Sequence, residues 1–277
     1  MQGLLSVIVP ASNEAGYIGP CLAALFASDP VPGGAEVIVV ANGCRDDTAA
    51  QARAFADKAQ GAGWGFQVLE RTTGGKPGAL NAGDAVAKGH LRAYLDADVV
   101  VCAALMAQIV ATLKGDAARY ASGRALVPRA KSAVTRAYAR FWQTLPFAQS
   151  IAPGYGLFAV NTAGRARWGD FPDIISDDTF ARLQFTPQER IGCPASYHWP
   201  MVEGFAALVR VRRRQDAGVR EIAALYPGLL AREGKAPLGF SGILRRGLSD
   251  PPGLAAYAVV SLMVKARPAG QGWTRGR

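Results

Sequence analysis

The sequence predicts an α/β protein: a mostly parallel sheet flanked by helices, followed by a basic helical C-terminal region. Three observations carry this reading. Short apolar runs alternate with helical patterns four times within the first hundred residues, which is the signature of βαβ units. Polar or glycine-rich clusters follow each run, where the carboxyl ends of parallel strands hold ligands. The net charge of +10 is unevenly placed: residues 204–277 carry 13 Lys and Arg against four acids, leaving only +1 for residues 1–203. That break makes 203/204 a candidate domain boundary, and the basic part either faces an anionic partner or is a solvated helical face.

The elements follow in order. Residues 4–10 (LLSVIVP) are β-branched, stop at proline and read as a buried strand. Capping residues at 11–14 precede a helical pattern over 17–26. Residues 35–41 (AEVIVVA) form a second buried strand, and Asn42-Gly43 a turn. Asp46-Asp47-Thr48 then starts a helix that runs through Phe55. Residues 65–70 are the third strand, followed by a glycine-rich turn and a helix over 77–88. Residues 91–95 are the fourth strand, closed by Asp96-Ala97-Asp98. Ser176 is placed to cap a helix through Leu183, with Asp177 and Asp178 in its first turn. Arg210-Val211-Arg212-Arg213-Arg214-Gln215 falls in a further helix, and residues 254–264 form a short apolar helix ended by Lys265 and Arg267.

Composition narrows the function. With 50% apolar and 19% charged residues the chain is neither disordered nor fibrous. Four cysteines without a Cys-x-x-Cys spacing argue against a disulfide scaffold or zinc knuckle and fit a reducing compartment. Two histidines exclude a His-rich metal cage. No signal-peptide pattern opens the chain, and its longest late apolar stretch, 253–264, is shorter than the ~18–20 residues that span a bilayer. The expected location is the cytoplasm, with peripheral contact on the inner face of the cell membrane as an option.

Asp96-x-Asp98 at a strand end suits one hard divalent cation, because Mg²⁺ or Mn²⁺ takes one or two carboxylates and completes its shell with phosphate oxygens and water. Alone, Asp-x-Asp is common in turns. Here it comes with Pro10-Ala11-Ser12-Asn13-Glu14 after strand one, Ala41 to Asp46 after strand two, and Gly74-Gly75-Lys76-Pro77-Gly78-Ala79-Leu80-Asn81 after strand three. In this order and spacing, the chain resembles the family-2 glycosyltransferases, whose nucleotide-sugar half has the GT-A (Rossmann-like) fold. The likeness covers residues 4–100 well and 150–185 in part. It implies a GT-A catalytic domain over 1–203, with a nucleotide-sugar half over 1–100 and an acceptor half over 101–203, then the basic helical region over 204–277.

The resemblance also implies roles. Pro10, Ala11, Asn13 and Glu14 would line the base and ribose pocket, with Asp96 on the nucleotide-sugar and Asp98 and Asp96 on Mn²⁺ or Mg²⁺. Asn42 stands where the family usually has an Asp that contacts the base; an amide both donates and accepts, so uridine, guanosine and thymidine all stay open, with a UDP-sugar in first place. Lys76, at a glycine-rich helix start, would face the diphosphate. Asp178 matches the second member of an acidic pair, the family's general base, and the Asp-Asp pair in place of Glu-Asp keeps Asp177 as an alternative. The expected reaction inverts the anomeric centre as it moves a sugar, a hexose in the first instance, from a nucleoside diphosphate to a hydroxyl of a saccharide or lipid-linked acceptor in polysaccharide or cell-envelope synthesis. A single base with no enzyme nucleophile fits one displacement. The Gln-x-x-Arg-Trp element of processive members is missing in that form, leaving Arg213 or Arg214 as a diphosphate candidate. Gly154 and Gly156 would allow close backbone approach near an acceptor, or simply serve a turn.

Two rivals stay in view. A nucleotidyltransferase would want a basic, glycine-rich loop after strand one, which residues 10–14 lack. A non-catalytic membrane-docking protein would not need Asp96, Asp98 and Asp178. Among partners, no nucleic acid is expected, since no recognition motif accompanies the basic charge.

Overall fold

The computed structural model describes residues 4–234 and 238–266. Arg267, read as part of a cationic helix end, lies outside them. The core is an eight-stranded sheet in the order β3-β2-β1-β4-β7-β6-β8-β5. Its first half is the predicted one: β1 (Leu5–Ala11), β2 (Ala35–Asn42), β3 (Gly65–Arg71) and β4 (Leu91–Leu95) run parallel, with Leu5 opposite both Ala35 and Leu91. Every residue of β2 is buried, as the unbroken apolar run requires of a strand covered on both faces.

The second half is mixed. β7 (Leu157–Val160) pairs antiparallel with β4 and with β6 (Tyr120–Leu126). β8 (Arg190–His198) returns parallel to β6, and the two-residue β5 (Val100–Val101) closes the far edge antiparallel to β8.

Helices cover both faces. On one, α1 (Ile18–Phe26) and α5 (Leu105–Thr112) bury Ile18, Leu22, Leu25, Leu105 and Ile109 in one apolar cluster with Val7, Val9, Val37 and Val39, α5 lying against β6 and β8. The predicted helix over 48–55 is two short ones, α2 (Thr48–Arg53) and α3 (Ala56–Gly61). The break falls at Phe55, whose ring sits 6.5 Å from that of Phe26 in the core. On the other face α4 (Lys76–Val86) lies close over β1. A Cβ on Gly83 would come within 2.5 Å of Ile8 Cγ2, so this helix-interior glycine, which costs about 1 kcal/mol relative to alanine, permits the approach.

The remaining helices are α6 (Ala133–Trp142), α7 (Thr162–Arg165), α8 (Asp177–Leu183), α9 (Phe205–Leu225), α10 (Phe240–Ser249) and α11 (Pro251–Ala266). From sequence, α11 has the alternatives of a lipid contact and packing on the sheet. In the structure its inner face packs on helices rather than on the sheet: Val260 and Val264 join Tyr138, Trp142, Leu208 and Val209 of α6 and α9 in a separate apolar cluster. Ser176 precedes α8 as expected but its hydroxyl makes no cap hydrogen bond; it is buried where a Cβ on Gly218 of α9 would strike it.

Candidate active site

Local chemistry explains the loops at the strand ends. The turns after β1 and β2 are stitched together by side chains that accept backbone N–H groups. Asn13 Oδ1 accepts from Arg45 (2.9 Å), Thr48 Oγ1 from Glu14 (2.8 Å) and Asp46 Oδ2 from Ala15 (3.2 Å). Asn13 takes a left-handed φ of 55°, which asparagine tolerates better than most residues.

These loops, the start of α4 and the end of β4 form one side of a cavity of about 500 Å³. Pro10, Ala11, Asn13, Glu14, Asn42, Lys76, Asp96, Asp98, Asp177 and Asp178 all line it. Segments nearly 170 residues apart in sequence thus converge on one site.

Lys76 is the electrostatic centre of that side. Its Nζ lies 2.9 Å from Asp96 Oδ1 and 3.1 Å from Asp177 Oδ2. Burial pulls the ammonium's pKa down, but the carboxylates of Asp177, Asp96 and Asp178 outweigh it and hold the group charged, above its ordinary value. Asp177 is only 4% exposed, and burial, opposed by Lys76, pushes its carboxyl up to about 6. Asp178 differs from its neighbour: it is half-buried on the cavity wall, and its Oδ1 accepts the Thr179 N–H at 2.6 Å.

Asn42 shows how an amide serves at its position. Its Nδ2 donates to the Gly75 carbonyl at 2.8 Å, while its Oδ1 is buried without a hydrogen-bond partner. Turning the amide over would set two oxygens against each other, so the acceptor is what remains for a ligand.

The opposite side of the cavity comes from segments without a recognisable motif. Trp142 of α6, Tyr155 and Trp199 form a cluster, with Trp199 ring centroids 4.7 Å from Tyr155 and 5.8 Å from Trp142. Tyr138, Met201, Leu208 and Val211 extend the apolar surface, and Arg212, Arg214 and Gln215 of α9 border it. Arg213, the other sequence candidate, turns away and donates to the Met263 carbonyl of α11. α9 lies beyond the 203/204 charge boundary and still supplies cavity wall. Gly156 joins the two sides: its carbonyl accepts the Asp96 N–H at 2.8 Å. With φ of 76° and a would-be Cβ 2.5 Å from Trp199, the position needs glycine.

The donor set suits a divalent cation. Five carboxylates, Glu14, Asp96, Asp98, Asp177 and Asp178, line this side of the cavity with a single lysine, an excess of negative charge of which Asp98 and Asp96, after burial itself, help push the buried Cys21 thiol up. Asp96 and Asp98 offer hard oxygen ligands. Among the described residues no group of three or more His, Cys, Asp or Glu is placed to hold an ion unaided. Two carboxylates would leave the rest of such an ion's shell to water and a ligand's oxygens.

Residues 6–165 match the family model described as glycosyl transferase family 2, more than half of the chain. The chain belongs to that family. Solved structures agree on the fold. A mannosyltransferase from Pyrobaculum calidifontis, PcManGT, in complex with GDP-Man and Mn²⁺, aligns with a TM-score of 0.61 at 21% identity, over 97% of this chain and 77% of that one. S. aureus TarS 1–349 in complex with UDP-GlcNAc gives 0.55 at 17%, over 94% and 81%. The mannosyl-3-phosphoglycerate synthase of Rubrobacter xylanophilus gives 0.51 at 15%, over 80% and 74%. No curated protein sequence matches the chain. The GT-A architecture of this family 2 glycosyltransferase is thus shared with these structures. Its acidic pair at 177–178 and the α9 wall lie beyond the family match.

Proposed function

We propose that this chain is an inverting, divalent-metal-dependent glycosyltransferase that moves a hexosyl group from a nucleoside diphosphate sugar to a hydroxyl. The carrying observation is the convergence of Asp98, Lys76 and Asp178 on one cavity whose other wall is aromatic. Neighbours seen with GDP-Man and Mn²⁺ or with UDP-GlcNAc support the donor class.

Pro10, Ala11, Asn13 and Glu14 border the nucleoside, and Asn42 Oδ1 accepts an N–H from its base. The imide N–H of uracil or thymine and the N1–H of guanine meet that demand; cytosine offers only its exocyclic amino group, and a CMP-sugar lacks the second phosphate that Lys76 and the metal would meet. Mn²⁺ or Mg²⁺ held by Asp96 and Asp98 would supply Lewis-acid stabilisation of charge on the departing diphosphate. Lys76 keeps Asp96 in place and adds positive charge on the phosphate side. Asp178 takes the acceptor's proton as the new bond forms, which needs its carboxylate within about 2.6–3.2 Å of the hydroxyl. Asp177, fully buried on Lys76, positions that lysine. The aromatic wall receives the acceptor, saccharide or lipid-linked, by stacking and apolar contact. A cell-envelope or polysaccharide product fits such an acceptor.

A thermal-shift panel of UDP-, GDP-, dTDP- and CMP-sugars with and without Mn²⁺ tests this, because a ligand that binds only the native state raises its midpoint. The expected result is a metal-dependent shift with a UDP-, GDP- or dTDP-sugar and none with CMP-sugars. A shift by nucleoside triphosphates alone would replace the proposal with a nucleotidyltransferase.

A further inference from the structure

The α11 helix is apolar on two sides. Its inner side, Val260 and Val264, is buried against α6 and α9. Its outer side is equally apolar: Ala255, Val259, Leu262 and Ala266, at spacings of four, three and four, fall on one face and are all exposed. Val259 is 50% exposed, Leu262 66%, and Met263 beside them 41%. A helix apolar all round is normally covered. Leu248 of α10, at 74%, and Leu244 one turn before it repeat the pattern. Of the eleven exposed large hydrophobic side chains among the described residues, eight lie between Phe205 and Met263. The apolar surface is thus concentrated in the helices that carry the basic charge.

The unpaired charge those helices show to solvent is positive. All four acids of residues 204–266 have partners: Asp216 with Arg212 (2.9 Å), Glu233 with Arg182 (2.6 Å), Asp250 with Arg140 (3.1 Å) in a surface pair, and Glu221 with the Ile175 N–H (2.8 Å). Arg210, Arg220, Arg232, Arg245 and Lys265 are exposed. No described helix is long and apolar enough to cross a membrane. An apolar stripe set among exposed cations fits the headgroup boundary of an anionic bilayer.

We infer that the outer face of α11, with the exposed leucines of α10, docks this protein in the plane of an anionic phospholipid membrane. Apolar side chains enter the acyl boundary and Arg245 and Lys265 meet the phosphate headgroups. Because α11 packs on α6 and α9, docking brings the aromatic side of the cavity toward the membrane. Bilayer binding needs neither donor nor transfer, so its failure would leave the glycosyltransferase proposal intact.

Vesicle flotation of the full-length protein tests this, with phosphatidylcholine alone and with phosphatidylglycerol included, alongside light scattering for mass. The protein is expected to float with the anionic vesicles, weakly with neutral ones, and less as salt rises. Val259→Ser with Leu262→Ser, both at exposed positions, should lower the anionic partition at least about tenfold with unchanged circular dichroism and melting. Arg245→Glu with Lys265→Glu should remove most of the difference between the two lipids. No flotation with anionic vesicles, or equal flotation of the serine variant, would overturn the inference. So would a wild-type dimer that the serine variant converts to monomer without any lipid binding, which would make the stripe a contact between copies.

Discussion

The two walls of the cavity are built on opposite principles. The strand-end wall holds Asn13, Asn42, Lys76, Asp96 and Asp98, each within a few residues of a β-strand's carboxyl end, with the two asparagines fixed by hydrogen bonds to backbone and Lys76 and Asp96 by their ion pair. The facing wall holds Tyr138, Trp142, Tyr155, Trp199 and Leu208, fixed by ring packing between segments far apart in the chain. One wall positions charge and the other shapes space. Substitutions on the first should therefore alter chemistry and donor binding, and those on the second acceptor binding.

The sharpest break of that division is Asp178→Asn, which should lower turnover about 10²–10⁴-fold while leaving the donor's thermal shift unchanged. Retained turnover would move the base to Asp177. Asp98→Asn should do the reverse to binding, abolishing the Mn²⁺-dependent part of donor affinity measured by calorimetry; unaltered Mn²⁺ dependence would remove the metal assignment.

Lys76→Met tests whether the charged wall also supports the fold. Removing one partner of a fully buried ion pair costs about 3–5 kcal/mol; because the Lys76 side chain is 27% exposed and only Asp177 is buried, a smaller loss, about 1–3 kcal/mol, is expected by urea unfolding at neutral pH. The sign with pH follows from Asp177. Burial already raises its folded pKa above the ordinary carboxylate value, and loss of the ammonium raises it further. An acid with a raised folded pKa destabilises the fold when ionised and recovers when protonated, so the deficit relative to wild type should shrink as pH falls from above neutral toward about 6, below which Asp177 is protonated in both proteins. A pH-independent deficit would place the loss in packing. The smallest effect is expected from Trp199→Ala: about a tenfold rise in acceptor KM with donor affinity unchanged. A matching loss of donor affinity would mean that the aromatic wall serves both substrates.

The same contrast explains what was legible in the sequence. Four parallel strands and the clusters after them could be read because strand alternation and turn chemistry are local signals; the ten residues nominated through the family resemblance, eight in those clusters and two in the 177–178 pair, share one cavity. β7 is four residues long and β6 carries Ser122-Gly123-Arg124 in its middle, so neither shows a strand period. The Ser122–Arg124 irregularity in the β6–β8 register is the structural trace of that. The aromatic wall was illegible because positions 138, 142, 155 and 199 meet only through tertiary packing. An excess of tryptophan and tyrosine over that stretch was the available clue. α11 was read as a helix, but its packing partner depended on α6 and α9, whose arrangement no local pattern encodes.

The hydrogen bond from Asn42 to the Gly75 carbonyl has a consequence for how the two ends of a donor communicate. Gly75 has φ of 118° and immediately precedes Lys76, so the residue that would read the base also anchors the backbone that aims the ammonium. Thermodynamic reciprocity applies to such a shared segment. If base occupancy makes the Gly75 turn more rigid, phosphate capture by Lys76 becomes more favourable, and phosphate occupancy raises base selectivity by the same factor. Selection of the nucleotide is then a property of the whole diphosphate donor, and a free nucleoside would be discriminated less well than the sugar nucleotide that contains it.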